Sequence, residues 1–296
     1  MTPSMGSVTF GLSFVGSGPM AQPGMAADLA QAAEELGFTA MWMPEHVVIP
    51  IAMQSPYPYS PDGKLPAAGM TADAPDPLMW LAFVAARTSR IQLCTGVLVL
   101  GQRNPLIVAK EAATLDVLSQ GRAVLGIGGG WLAEEFEALN VPFGERGRRM
   151  DEYVAVMRAL WAEHPTSFHG EFTNFDQCVS LPHPVQVGGI PIVVGGDSAR
   201  AARRAGELGN GWFPGIPNPS TLGPLGDRMR KAAEQAGRDP DAISLQTSWT
   251  NDAPTLEALE SLGFRHFTVA VPGHKIVGPG ALDATLTGLA ARVGLR

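Results

Sequence analysis

The chain has 296 residues, 45% of them hydrophobic and 17% charged, with a formal net charge of −7. A chain of this kind buries a substantial core, which excludes global disorder, and its acidic balance disfavours a general nucleic-acid or anionic-membrane surface while leaving room for one small anion in a local pocket. Two cysteines leave no disulfide framework and fit a reducing cytoplasm, the opening MTPSMGSVTF has no basic-then-apolar leader, and no apolar run reaches membrane-spanning length.

Strand-like and helix-like segments then alternate. VTFGLSF (8–14) reads as a first strand. Leu29, Ala32, Ala33 and Leu36 recur at helical spacing, and Gly37 stops that helix. AMWM (40–43) is a second strand. The stretch 44–75 is rich in Pro, Tyr and Ser and has no helical period. Loops this long in compact domains are functional or disordered, and this one is expected to close over a site. Asp76-Pro77 reads as an N-cap with proline at the first helical position. IQLCTGVLVL (91–100) is a third strand, and Asn104-Pro105 repeats the cap signal. AVLGI (123–127) is a fourth strand that ends in three glycines.

Two helical segments follow, the second over 148–163, and GEFTNFDQCVSL (170–181) reads as a short hairpin excursion. PIVVGG (191–196) is a fifth strand, with a helix from Ser198. NGWFP (210–214) is a sixth, followed by a helix that includes 229–236. AISLQTSW (242–249) is a seventh, with TLEALESLG as its helix. RHFTVAV (265–271) is an eighth, and Leu282, Leu286, Leu289 and Val293 mark a final amphipathic helix. Eight strands, each followed by helix, point to an α/β architecture: one (β/α)8 TIM barrel over 1–296, with the hairpin between its fourth and fifth strands. A doubly wound sheet leaves the last two units unexplained.

A barrel carries its site at the C-terminal strand ends. The second strand ends in Met43, Pro44, Glu45 and His46; the third holds Thr95, Gly96 and Val97. The fourth ends in Gly128, Gly129 and Gly130, with Trp131 and Glu134 beyond. The fifth ends in Gly195, Gly196, Asp197 and Ser198. Glu45-His46 is the only adjacent carboxylate–imidazole pair at a strand end. Histidine moves protons near neutral pH and a carboxylate fixes its tautomer, so His46 is expected to exchange the proton and Glu45 to orient it. The competing reading is a His that satisfies a backbone carbonyl. Gly195 to Ser198 open a helix whose N–H groups suit an anion, or form an ordinary Ser cap. ERGRRMDEY offers Arg146, Arg148 and Arg149 to a phosphate or carboxylate; Glu–Arg pairing on a solvated face is the competing reading for two of them.

Other chemistries find little support. No H-E-x-x-H occurs, and His164 and His169 lie five apart in a loop, which disfavours zinc. There is no G-x-S-x-G elbow, no P-loop and no G-x-G-x-x-G after the first strand. The four lysines all lie outside the strands, which disfavours a Schiff-base aldolase.

Taken together, WMPEHVVIP, NPLIVAKEAATLDVLSQGRAVLGIGGGW, ERGRRMDEY and PIVVGGDSARAARRAGELGNGWFP resemble the luciferase-like monooxygenase superfamily, and more closely its coenzyme F420-dependent oxidoreductase branch. The resemblance implies the barrel already reached. It implies that His46 lies against a deazaflavin ring and that Gly96-Val97 is a non-prolyl cis peptide behind that ring. It implies a phosphate turn at Gly195, Gly196 and Ser198, and a pocket lined by Thr95, Gly130, Trp131 and Glu134. Trp131 departs from relatives that carry a carboxylate there, so their acid–base assignment does not transfer. No arginine lies between Gly126 and Glu134, where some flavin mononucleotide users place one, which favours the deazaflavin. The implied activity is hydride transfer between coenzyme F420 and a small organic substrate, in a protein that forms a homodimer. A monooxygenase using FMN and a non-catalytic flavin-binding protein are the alternatives.

Overall fold

The computed structural model describes residues 7–162 and 164–295. Most of the stretch tested for a leader, and the expected helix end at Glu163, lie outside the described residues. The strands are β1 (Thr9–Ser13), β2 (Ala40–Met43), β3 (Gln92–Thr95), β4 (Leu98–Val99), β5 (Ala123–Gly128), β6 (Thr166–His169), β7 (Asn174–Cys178), β8 (Ile192–Gly195), β9 (Gly211–Phe213), β10 (Ser244–Ser248) and β11 (His266–Ala270). The helices are α1 (Pro23–Glu35), α2 (Ala67–Thr71), α3 (Pro77–Ala85), α4 (Pro105–Leu118), α5 (Ala133–Ala138), α6 (Arg146–Ala162), α7 (Ala199–Leu208), α8 (Pro219–Gln235), α9 (Ala253–Ser261) and α10 (Ala281–Arg292).

Among the described residues, eight parallel strands close a ring in the order β1-β2-β3-β5-β8-β9-β10-β11. This is the (β/α)8 barrel that the alternation implied. β6 and β7 pair antiparallel between the fourth and fifth ring strands. That hairpin begins four residues earlier than its sequence suggests.

The third strand is not continuous. β3 stops at Thr95, the Gly96–Val97 peptide is cis, and the chain resumes as β4 against the end of β5. The stretch 44–75, read as having no helix, contains the one-turn α2. Both cap signals hold: Asp76 accepts from Leu78 N and Met79 N, and Asn104 from Leu106 N and Ile107 N.

Alternation along each strand divides the interior in two. Outward residues such as Leu12, Met41, Leu93, Leu125, Ile192 and Phe267 pack with the helices in the main core. Inside the ring, Ala40, Trp42, Cys94, Val124 and Val193 form a second cluster with Phe213 against it. Trp42 takes up the centre because three strands' worth of backbone gives way to it. A Cβ at Gly11, Gly96 or Gly126 would lie 3.3 Å, 2.9 Å or 3.0 Å from an atom of Trp42.

Candidate active site

His46 leaves the end of β2, and its Nδ1 lies 3.0 Å from Oε2 of Glu135. Glu135 sits in the first turn of α5, and its side chain is 2% exposed against 22% for His46. Its other oxygen accepts from Val47 N at 2.6 Å and Val48 N at 3.3 Å. The carboxylate that orients His46 is therefore Glu135 and not Glu45. Glu45 turns the other way. It accepts from Val99 N and is ion-paired with Arg103, which also binds Asp76, the cap of α3. Burial raises the pKa of the Glu45 carboxyl while the Arg103 guanidinium pulls it back. Glu45 thus ties the end of β2 to β4 and α3.

The glycines at the strand ends serve different purposes. A Cβ at Gly128 would lie 2.5 Å from Val97, and one at Gly195 2.7 Å from it, so these two make room for the bulge. Gly130 is left-handed and packed against Phe136 and Val99. Only Gly129 of the run faces open space, with nothing within 4 Å of a built Cβ. Thr95, expected in the pocket, is buried, and its hydroxyl donates to Gly126 O at 2.6 Å inside the barrel.

The segment after β2 runs along this rim. Glu134, also expected to line the pocket, accepts from Gln54 N at 2.6 Å and Ser55 N at 3.0 Å. Hydrogen bonds led by that of Gln54 N hold its carboxyl down at about 2. Trp131 meets the His46 ring edge-on at 5.8 Å and the Tyr57 ring at 5.2 Å; Tyr57 meets Tyr59 at 5.5 Å. Tyr59 reaches Gly215, whose N–H donates to Asp197.

At the end of β8, Gly196 has φ of 121°, and Ser198 caps α7 by accepting from Ala201 N at 3.1 Å. Of the three arginines that open α6, Arg148 is paired with Glu171 and Arg149 with Glu145. Arg146 lies 3.7 Å over the Phe143 ring, and its pKa is lowered by desolvation and by the charges of Arg200 and Arg204. Arg204 is neutralised by Asp151. Among the described residues, Arg146 and Arg200 have no carboxylate in ion-pair range, which leaves two cations near the α7 cap. Glu135, Arg103 and Arg200 escape a sequence reading. An acidic pair in a first helical turn is ordinary, and nothing in its spacing singles out the buried member.

A sequence model of the luciferase-like monooxygenase family matches residues 5–272. The chain belongs to this family. As a luciferase-like protein it is 33% identical, over 264 residues, to an F420-dependent glucose-6-phosphate dehydrogenase of Kineococcus radiotolerans, covering 86% of this chain and 72% of the relative. It is similar in fold to the coenzyme F420-dependent tetrahydromethanopterin reductase of Methanopyrus kandleri, with a TM-score of 0.74, 19% identity, and 98% and 100% of the two chains covered. It is also similar to the monooxygenase RslO1 of Streptomyces bottropensis, with a TM-score of 0.65, 26% identity, and 97% and 89% covered. Among the described residues of this luciferase-like chain, no helix is long and apolar enough to cross a membrane, and no group of three or more His, Cys, Asp or Glu is arranged to hold a metal.

Proposed function

We propose that this chain is an oxidoreductase that moves hydride between coenzyme F420 and a small organic substrate. The observation that carries the proposal is the His46–Glu135 pair at the barrel mouth, in a chain that aligns over most of its length with an F420-dependent dehydrogenase. With Nδ1 facing Glu135, Nε2 is the nitrogen left for a substrate proton. When bound, the deazaflavin accepts or gives hydride at its central ring carbon.

The residues present fit such a group. Gly129 leaves backbone open to a flat ring, and half-buried Val97 forms a floor beside it. The α7 N-terminus, with Gly196 and Ser198, and the uncompensated Arg146 and Arg200 suit its phosphate. His46 then gives or takes the proton that accompanies hydride transfer, and Glu135 holds the imidazole in place. The segment 44–75 acts as the lid that excludes water, on one barrel domain over 1–296. The exposed Met79, Phe83 and Ile107 on neighbouring α3 and α4 suit a homodimer contact in a cytoplasmic protein.

The likeness to a monooxygenase keeps FMN as the second reading. Parallel calorimetric titration of the apoprotein decides between them. Coenzyme F420 should bind at micromolar Kd or better and FMN more weakly; the reverse order selects the monooxygenase.

A further inference from the structure

We infer that the substrate held at this site is an uncharged, planar aryl ketone or the corresponding alcohol; the inference rests on the oxidoreductase reading above. Three successive edge-to-face contacts, with interplanar angles of 85°, 71° and 72°, lock His46, Trp131, Tyr57 and Tyr59 into one wall. The wall begins at the imidazole that handles the proton. A flat apolar ring gains by stacking there, and the gain adds to the area that it buries. Burial also raises the pKa of the Tyr57 phenol, so it stays a neutral hydrogen-bond donor.

The charges around the wall reject an anionic substrate. Glu135 packs on His46, Glu134 holds the chain at Gln54 and Ser55, and Asp197 lies by the Gly215 turn that Tyr59 touches. All are carboxylates. Arg103 is committed to Glu45 and Asp76, and Arg146 and Arg200 stand by the α7 cap. The cation–ring contacts of the described residues fall on Phe143, Phe172 and Trp249, away from the wall. A sugar phosphate needs paired cations or a bundle of N–H donors, and a phosphate at this wall meets rings and acid instead.

The test is calorimetric titration of the F420-loaded protein with 2-acetonaphthone and with glucose 6-phosphate. The ketone should bind at least tenfold more tightly. Trp131→Ala and Tyr57→Ala should each weaken ketone binding roughly three- to tenfold, and Tyr57→Ala, outside the expected cofactor pocket, should leave the F420 Kd within about twofold of its starting value. Trp131→Phe, which keeps a ring at the wall, should retain most of the ketone affinity and guards against a variant that fails to fold. Tighter binding of glucose 6-phosphate, no ketone binding at millimolar concentration, or ketone binding indifferent to Trp131 and Tyr57 overturns the inference. If F420 does not bind and ketone binding to the apoprotein still depends on the wall, the cofactor reading falls and the substrate class stands.

Discussion

Glu45 and His46 leave the same strand end and diverge there. Adjacent residues of an extended segment point to opposite sides, so a carboxylate next to a histidine in sequence is badly placed to orient it. The true partner, Glu135, is 89 positions away and is brought in by α5. That explains why the position of the histidine at a strand end was legible in the sequence and its carboxylate partner was not. Replacing His46 by Ala should cost about 10²–10⁴ in turnover, with a smaller loss of F420 affinity and little change in the melting temperature, because a residue at the mouth adds little to the core. Near-full turnover in steady-state assays would reduce His46 to a positioning role. The glycine run divides equally sharply. Gly128→Ala drives a methyl group into Val97 and should destabilise the fold by about 1–3 kcal/mol in denaturant titrations. Gly129→Ala meets open space, so its stability should hold while F420 affinity drops.

At the level of elements, the signals that rest on local chemistry survived. Asp76-Pro77 and Asn104-Pro105 each cap the helix that they announce, because a cap is a bond between near neighbours. The boundaries that failed are set by distant parts of the chain. The third strand breaks at Gly96 because Trp42 of β2 fills the space beside it. Two carboxylates also pin loops at opposite ends of the barrel. Burial would raise the Glu34 carboxyl, but N–H groups of Ile91, Arg90 and Ser89 prevail and hold it at about 2, and Glu134 is held equally low. A carboxyl whose folded pKa is depressed stabilises above its unfolded value and loses that contribution as the pH falls through the folded one. The stabilisation from both pins should therefore be complete above about 4.5 and fade toward about 2. Melting curves followed by circular dichroism should fall less steeply across that window in a Glu34→Gln, Glu134→Gln double variant. Equal slopes would show that neither pin matters to folding.

Over the whole molecule, closure depends on a short seam. β3 and β5 are joined by only two register pairs, Leu93 with Ala123 and Cys94 with Val124, before the bulge diverts the chain. Trp42 lies inside that seam and contacts the space left by glycines of β1, the bulge and β5. Removing it leaves a large void that rigid strands cannot fill. Trp42→Ala should lower unfolding free energy by about 3–5 kcal/mol, measurable by guanidinium titration; a loss under 1 kcal/mol would mean that the ring closes without it. Strand and helix alternation made the barrel readable, since each β/α unit carries its own periodicity. The packing inside the ring joins residues as far apart as Ala40 and Phe213 and has no local signature.

Glu134 and Glu135 are neighbours on one helical turn, yet one fastens the chain at Gln54 and Ser55 while the other grips His46, Val47 and Val48. On the proposed reading, the aromatic wall and the imidazole are thereby tied to a single helical turn. Anyone who transplants the 46–59 stretch from a relative to alter selectivity must carry the first turn of α5 with it. A graft that brings the stretch alone inherits new walls and an unmoored imidazole, and should come out as a folded protein that binds but does not turn over.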